Sequence, residues 1–134
     1  SGNSITYFAA TNTLDVSIAG SSGGGGGGVS ETETAVASTN ATGVGSFAIS
    51  GGSGKRSASI LAQITQGSNY QVGRYLMIHD GTTVTVIEES AVATGSMLGS
   101  FNGDINNSNA EFKVTMLSSS SATVTTKIDT ISIP

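Results

Sequence analysis

The sequence predicts an all-β protein, an antiparallel β-sandwich of jelly-roll kind, preceded by an N-terminal arm and a glycine-rich loop. Three observations point there. Apolar residues alternate with period two in almost every segment, and no stretch sustains the i, i+3, i+4, i+7 spacing of an amphipathic helix. The alternating runs recur about every ten residues, with Gly, Asn and Ser between them, as short strands joined by turns require. The 134 residues contain no cysteine, so a packed core must hold the fold, and a chain of this length buries roughly two-thirds of its unfolded surface. Residues 1–45 are expected to form the arm or short strands with the loop, and residues 46–134 the sandwich.

In chain order, "NSITYFAATNTLDVSIAG" offers Ile5, Tyr7 and Phe8, then Leu14, Val16 and Ile18 in strict alternation. This reads as two short strands or an arm reaching to a neighbour, and those six residues are the candidate assembly interface. Gly23 to Gly28 follow. Glycines are the residues most expensive in backbone entropy to order, so a loop or linker is expected, with close backbone packing at a symmetry axis as the alternative. In "SASILAQIT", Ala58, Ile60, Ala62 and Ile64 point one way and Ser59, Leu61, Gln63 and Thr65 the other. In "EFKVTM", Phe112, Val114 and Met116 face inward. The closing "ATVTTKIDTISI" carries Val124 and Ile128 on one parity and Ile131 and Ile133 on the other, which predicts a bulge near Asp129.

"YLMIHDGTTVTVIEES" predicts a hairpin, with Asp80-Gly81 as a two-residue type I′ turn. In that register His79 pairs with Thr82, Met77 with Val84 and Tyr75 with Val86. Leu76, Ile78, Thr83, Thr85 and Ile87 occupy the other face. Both faces are largely apolar, so cover is expected on both sides. His79 is the sole histidine. A catalytic imidazole needs an orienting acceptor and a nucleophile, and a metal site needs three or more ligands. A histidine capping the rim of a hairpin is the simpler expectation.

Composition excludes several functions. Five Lys+Arg against nine Asp+Glu give no basic face for phosphates, so nucleic acid is not an expected partner. Only 10% of residues are charged, against a typical quarter, which suggests that part of the surface is covered in an assembly. No apolar run reaches the ~20 residues of a membrane span, and the first residues lack the pattern of a signal peptide. A leader already removed, or export as part of something larger, would account for that.

Motif by motif, little chemistry remains. "GGSGKRS" fails as a phosphate loop, because Ile49 stands where the first Gly belongs and Arg56 follows Lys55. "GVGSFA" at 43–48 has no helix after it to receive a pyrophosphate. "NGDINNSN" at 102–109 gathers oxygen ligands, but Asp104 is its one charged residue, so a polar turn is favoured over a weak calcium site. Glu88 and Glu89 are adjacent on a strand and point apart. Asn40-Ala41-Thr42 fits a glycosylation sequon that matters only in a eukaryotic secretory pathway. No catalytic residue, cofactor or metal is expected. For glycan, the candidate cluster is Asn69, Tyr70 and Gln71, in a chain with no Trp.

Three stretches in succession carry a family resemblance: "RSASILAQITQGSNYQVGRYLMIHDGTTVTVIEES", "TGSMLGSFNGDINNSNAEFKVTM" and "SSSSATVTTKIDTISI". From about Ser46 to Ile133 the chain resembles a β-sandwich module of tailed-phage virion structural proteins, especially those of marine and cyanobacterial phages. The family shares a Gly-Ser-Asn turn, a His-Asp-Gly-Thr-Thr hairpin, a Thr-Gly-Ser-x-Leu-Gly segment and a threonine-rich closing strand. The resemblance implies a non-enzymatic subunit on the particle surface, with other capsid or tail proteins as partners. Such β-proteins tend to assemble as homo-oligomers, often trimers. Capsid decoration is the expected role, with deletion of Ser1 to Ser22 abolishing particle binding while the sandwich stays folded. The alternative is a tail-fibre or neck adhesin that binds a host-surface glycan.

Overall fold

The computed structural model describes residues 5–8, 11–14 and 29–134. Every regular element in it is a strand. At the N-terminus β1 (Ile5–Phe8) pairs antiparallel with β2 (Thr11–Leu14); of the alternating Leu14, Val16 and Ile18, only Leu14 falls in a described strand. The rest is a sandwich of two antiparallel sheets. One sheet has the order β3 (Glu31–Val36), β10 (Ala122–Ser132), β5 (Lys55–Gln66), β6 (Asn69–His79), β7 (Val84–Ala93). The other has the order β4 (Thr42–Ala48), β9 (Asn109–Met116), β8 (Gly99–Asn106). The sheets therefore take in strands from Glu31 onward, upstream of the boundary at residue 45 expected from the sequence.

Alternation dictates what each sheet buries. On β5, Ala58, Ile60, Ala62 and Ile64 are buried, as their parity predicts, and on β9 so are Phe112, Val114 and Met116. Tyr75 of β6 lies 1% exposed between the sheets. Its ring centroid is 4.8 Å from that of Phe101 and 5.5 Å from that of Phe112, and the two phenylalanines stack at 4.9 Å. Such tilted and offset rings add to the area that they bury. Gly103 permits the close approach of β8 to β7, since a Cβ there would meet Val84 at 2.8 Å.

The sheets are joined by a buried hydrogen bond as well as by packing. A bulge between Gly43 and Gly45 turns the carbonyl of Val44 toward β10, where the Thr126 hydroxyl donates to it at 3.2 Å. On β10 itself, the bulge expected near Asp129 falls later, between Ile131 and Ser132, and the extra residue belongs to β5: Ile131 pairs with Ser57 and Ser132 with Lys55, leaving Arg56 over. Arg56 then reaches from β5 to the end of β6 and donates to the His79 carbonyl at 3.0 Å.

The β6–β7 hairpin differs from its predicted register by two residues. His79 pairs with Val84, Met77 with Val86 and Tyr75 with Glu88, so the connection holds four residues, 80–83. The cause is the Asp80 side chain. Its Oδ1 accepts the backbone N–H groups of Thr82 at 2.9 Å and Thr83 at 2.8 Å, while the Asp80 N–H donates to the Thr83 carbonyl at 3.1 Å. Those bonds stabilise a wider loop that a two-residue turn could not make. A slip of two preserves parity, so the division into faces stands. A third bulge, with Arg74 opposite Ser90 and Tyr75 opposite Glu88, leaves Glu89 as the extra residue on β7.

Candidate functional site

The inner face of the five-stranded sheet is spent on the core. Its outer face is the feature that a lone sandwich does not need. Leu76 and Ile78 of β6 are 44% and 50% exposed, Ile87 of β7 60%, and Ile131 of β10 69%. These four gather at one end of the sheet. Isolated exposed apolar residues are ordinary, but a contiguous group marks an interaction surface.

Pairing explains the shape of that patch. Ser57 and Ser59 of β5 lie opposite Ile78 and Leu76 on one side and Ile131 and Asp129 on the other. Small residues on the middle strand and bulky ones on its neighbours make a trough along β5. The hollow has a volume of about 450 Å³, and Thr85 and Ile87 extend its far wall. The cover expected on both sides of the hairpin is thus supplied on one side by the second sheet, and on the other side the described residues leave the trough open. The sequence showed the apolar residues; it did not show the trough, whose floor is made by serines that composition treats as polar filler.

The face continues toward the other end of the sheet. Leu61, Val72, Arg74 and Val92 border a second hollow of about 230 Å³, and Gln63, Tyr70, Val72 and Thr94 a third of about 170 Å³. Tyr70 is 46% exposed there and Asn69 beside it is also exposed. Gln71 borders that hollow too, but its side chain turns away from it. It is 2% exposed, on the core side of β6, where its Oε1 accepts the N–H groups of Leu98 and Gly99 and its Nε2 donates to the Gly99 carbonyl at 3.0 Å. The predicted glycan cluster is therefore split: Tyr70 lies on the face opposite Gln71, Asn69 is exposed as the first residue of β6, and Gln71 anchors the entry to β8.

His79 is buried at 4% exposure rather than at a rim. The Gly81 N–H donates to its Nδ1 at 3.0 Å, so the proton sits on Nε2, which meets the Lys55 carbonyl at 2.6 Å. Both ring nitrogens are thereby engaged in holding the hairpin loop to β5. Glu88 lies beside the Tyr75 hydroxyl, which donates to it at 3.2 Å. Asp104, the charged residue of the polar stretch at 102–109, pairs with Lys113 at 2.9 Å, and Asn107 takes φ 59° in the tight β8–β9 turn. Among the described residues no three His, Asp or Glu side chains gather as metal ligands. Of the predicted assembly residues, the side chains of Ile5, Tyr7, Phe8 and Leu14, and the whole of Val16 and Ile18, lie outside the described residues.

No protein-family model matches the chain, and no curated protein matches it in sequence. Among solved structures the chain is similar to the tailspike protein of Acinetobacter phage vB_ApiP_P1, with a TM-score of 0.59 and 15% identity over 90% of this chain. The tailspike protein of Acinetobacter baumannii phage AM24 overlaps with a TM-score of 0.48 and 9% identity over 78% of this chain. The chain spans 24% and 26% of the lengths of those two proteins. The first likeness shows a shared all-β fold. The expected role in capsid decoration gains no support from it, nor does a marine or cyanobacterial phage affiliation.

Proposed function

We infer that this chain is a non-enzymatic structural module of a phage tail, carried on the particle exterior, whose five-stranded sheet is covered by protein on its outer face. The observation that carries this is the apolar trough of Ser57, Ser59, Leu76, Ile78, Ile87 and Ile131 on a fold shared with a phage tailspike. A surface of that kind in a chain with 10% charged residues is built to be buried. The partners in this reading are other tail proteins and further copies of the chain, with no cofactor. Immunogold labelling of intact phage with antibody to the chain tests it. Gold at the tail is the expected result, and gold over the head would return the chain to the capsid lattice.

A host-surface adhesin is the second reading, and Tyr70 favours it. An exposed phenol ring beside Asn69, Gln63 and Thr94 supplies the apolar plate and the polar edge groups that a sugar uses. Binding of host-surface polysaccharide that Tyr70→Ala abolishes would establish it; polysaccharide binding equal in both proteins, or absent, would remove it.

A further inference from the structure

We propose that the outer face of the five-stranded sheet is covered by a second copy of this chain, packed about a two-fold axis that runs parallel to the strands between β5 and β6. This rests on the reading of that face as a protein-covered surface and names the protein that covers it. Edge chemistry, shape, charge and area converge on that partner.

The edges of the sheet turn an added strand away. β3 carries the exposed Glu31 and Glu33, and β7 carries Glu88, Glu89 and a bulge. Charges and bulges at an edge oppose pairing with another chain. A partner therefore meets the face.

Shape makes that face complementary to itself. Leu76 and Ile78 of β6 form a ridge beside the groove floored by Ser59 and Ser57 of β5, one strand spacing or about 4.8 Å away. A two-fold axis between the two strands lays the ridge of each copy in the groove of the other. Ile78 then lies over the partner's Ser57, and Leu76 over the partner's Ser59. The contact is isologous and closes at two copies, and the strands of the two faces run aligned, as in ordinary sheet-on-sheet packing.

Charge agrees with the same axis. Next along the sheet, Lys127, Leu61, Arg74 and Ser90 stand side by side on β10, β5, β6 and β7, with Glu89 beside Ser90 as the extra residue of the bulge. The axis brings β10 over the partner's β7, so Lys127 meets the partner's Glu89, while Arg74 lays its aliphatic stem along the partner's Leu61. Glu31, the cross-strand neighbour of Lys127, is on β3, outside the four strands that overlap. Asp129 stands at a corner of the overlap, because β3 begins only at Glu31, and it keeps water as interface rims do.

The area suffices. Four strands with five outward residues each, as Ser57, Ser59, Leu61, Gln63 and Thr65 on β5, cover about 650 Å² per copy at the usual strand and residue spacings. The pair buries about 1,300 Å², within the range of specific, stable interfaces.

Sedimentation equilibrium of the purified full chain is expected to give a dimer. Ile78→Asp puts a carboxylate in the groove and spares the core, since Ile78 is 50% exposed. It is expected to raise the dissociation constant about tenfold or more with the circular dichroism unchanged. Lys127→Glu is expected to raise it about threefold, and Lys127→Glu combined with Glu89→Lys to restore it. A monomer, an oligomer of another size, or a dimer that Ile78→Asp leaves intact would overturn the proposal, as would a double variant no tighter than Lys127→Glu alone. The underlying reading is tested separately on intact particles carrying Ile78→Cys or the exposed control Ser118→Cys, in a chain with no other cysteine, by labelling with a water-soluble maleimide. Protection at Ile78 together with a monomer in solution means that something other than a second copy covers the face, which overturns the choice of partner alone. Labelling as fast as at Ser118 means that the face is bare, and both readings fall.

Discussion

Gln71 shows at the scale of one residue how polarity in the sequence conceals a structural role. Between Tyr70 and Val72 it reads as part of an exposed polar cluster, yet parity places it inward, and three bonds to Leu98 and Gly99 justify its burial. Replacing it by Leu leaves two backbone N–H groups and a carbonyl without partners in the interior. The expected loss is about 2 kcal/mol of unfolding free energy in urea titration, from the usual range for buried unpaired groups. An unchanged midpoint would mean that the amide does not hold β8. Tyr75 gives a second test at this scale. Burial, reinforced by the charge of Glu88 and the hydrogen bond to it, pushes the phenol well above its ordinary value of 10.0. The neutral form is therefore the one that the folded state favours. The stability this contributes is complete below pH 10, where the unfolded phenol is also neutral, and is lost as pH rises from 10 toward the folded value. Urea unfolding at pH 9 and pH 11 is expected to show a fall that Tyr75→Phe reduces.

Among the elements, the β6–β7 hairpin was visible in the sequence as to place and faces, and its loop length was not. Asp-Gly signalled a turn correctly. What decided between two and four loop residues was the competition of the Asp80 carboxylate for the amides of Thr82 and Thr83, which dipeptide preference does not register. Gly81 sits at φ +94°, a region that side chains disfavour, although open space surrounds it. Gly81→Ala is expected to destabilise by about 1–2 kcal/mol through backbone strain alone. A neutral effect in thermal unfolding would place the loop in another conformation. The Asp80 carboxyl lies below its ordinary value of 3.8, chiefly through the Thr83 and Thr82 amides. Its contribution is present above pH 3.8 and disappears as pH falls further, through the depressed folded value. Amide hydrogen exchange at Thr82 and Thr83, corrected for intrinsic rates, is expected to lose protection over that acid range, and in Asp80→Ala at neutral pH.

For the whole molecule, the fold class was legible because period-two alternation and turn residues agree along the chain. The β5 and β9 cores fell where parity put them. Two things could not be read in advance. The bulges at Gly43/Gly45, Arg74/Tyr75 and Ile131/Ser132 depend on pairings between distant strands. The trough depends on which strand lies between which, since serines at 57 and 59 become a floor only once β10 and β6 flank them. The fold shared with a tailspike is an all-β sandwich, and the proposed function adds to it that the outer face is covered in an assembly. The most direct test of the central claim is quantitative mass spectrometry of purified particles after heads and tails are separated. A tail module is expected to travel with the tail fraction, at a small fraction of the abundance of the major capsid protein. Recovery in the head fraction at lattice-like abundance would contradict it, as would absence from both fractions.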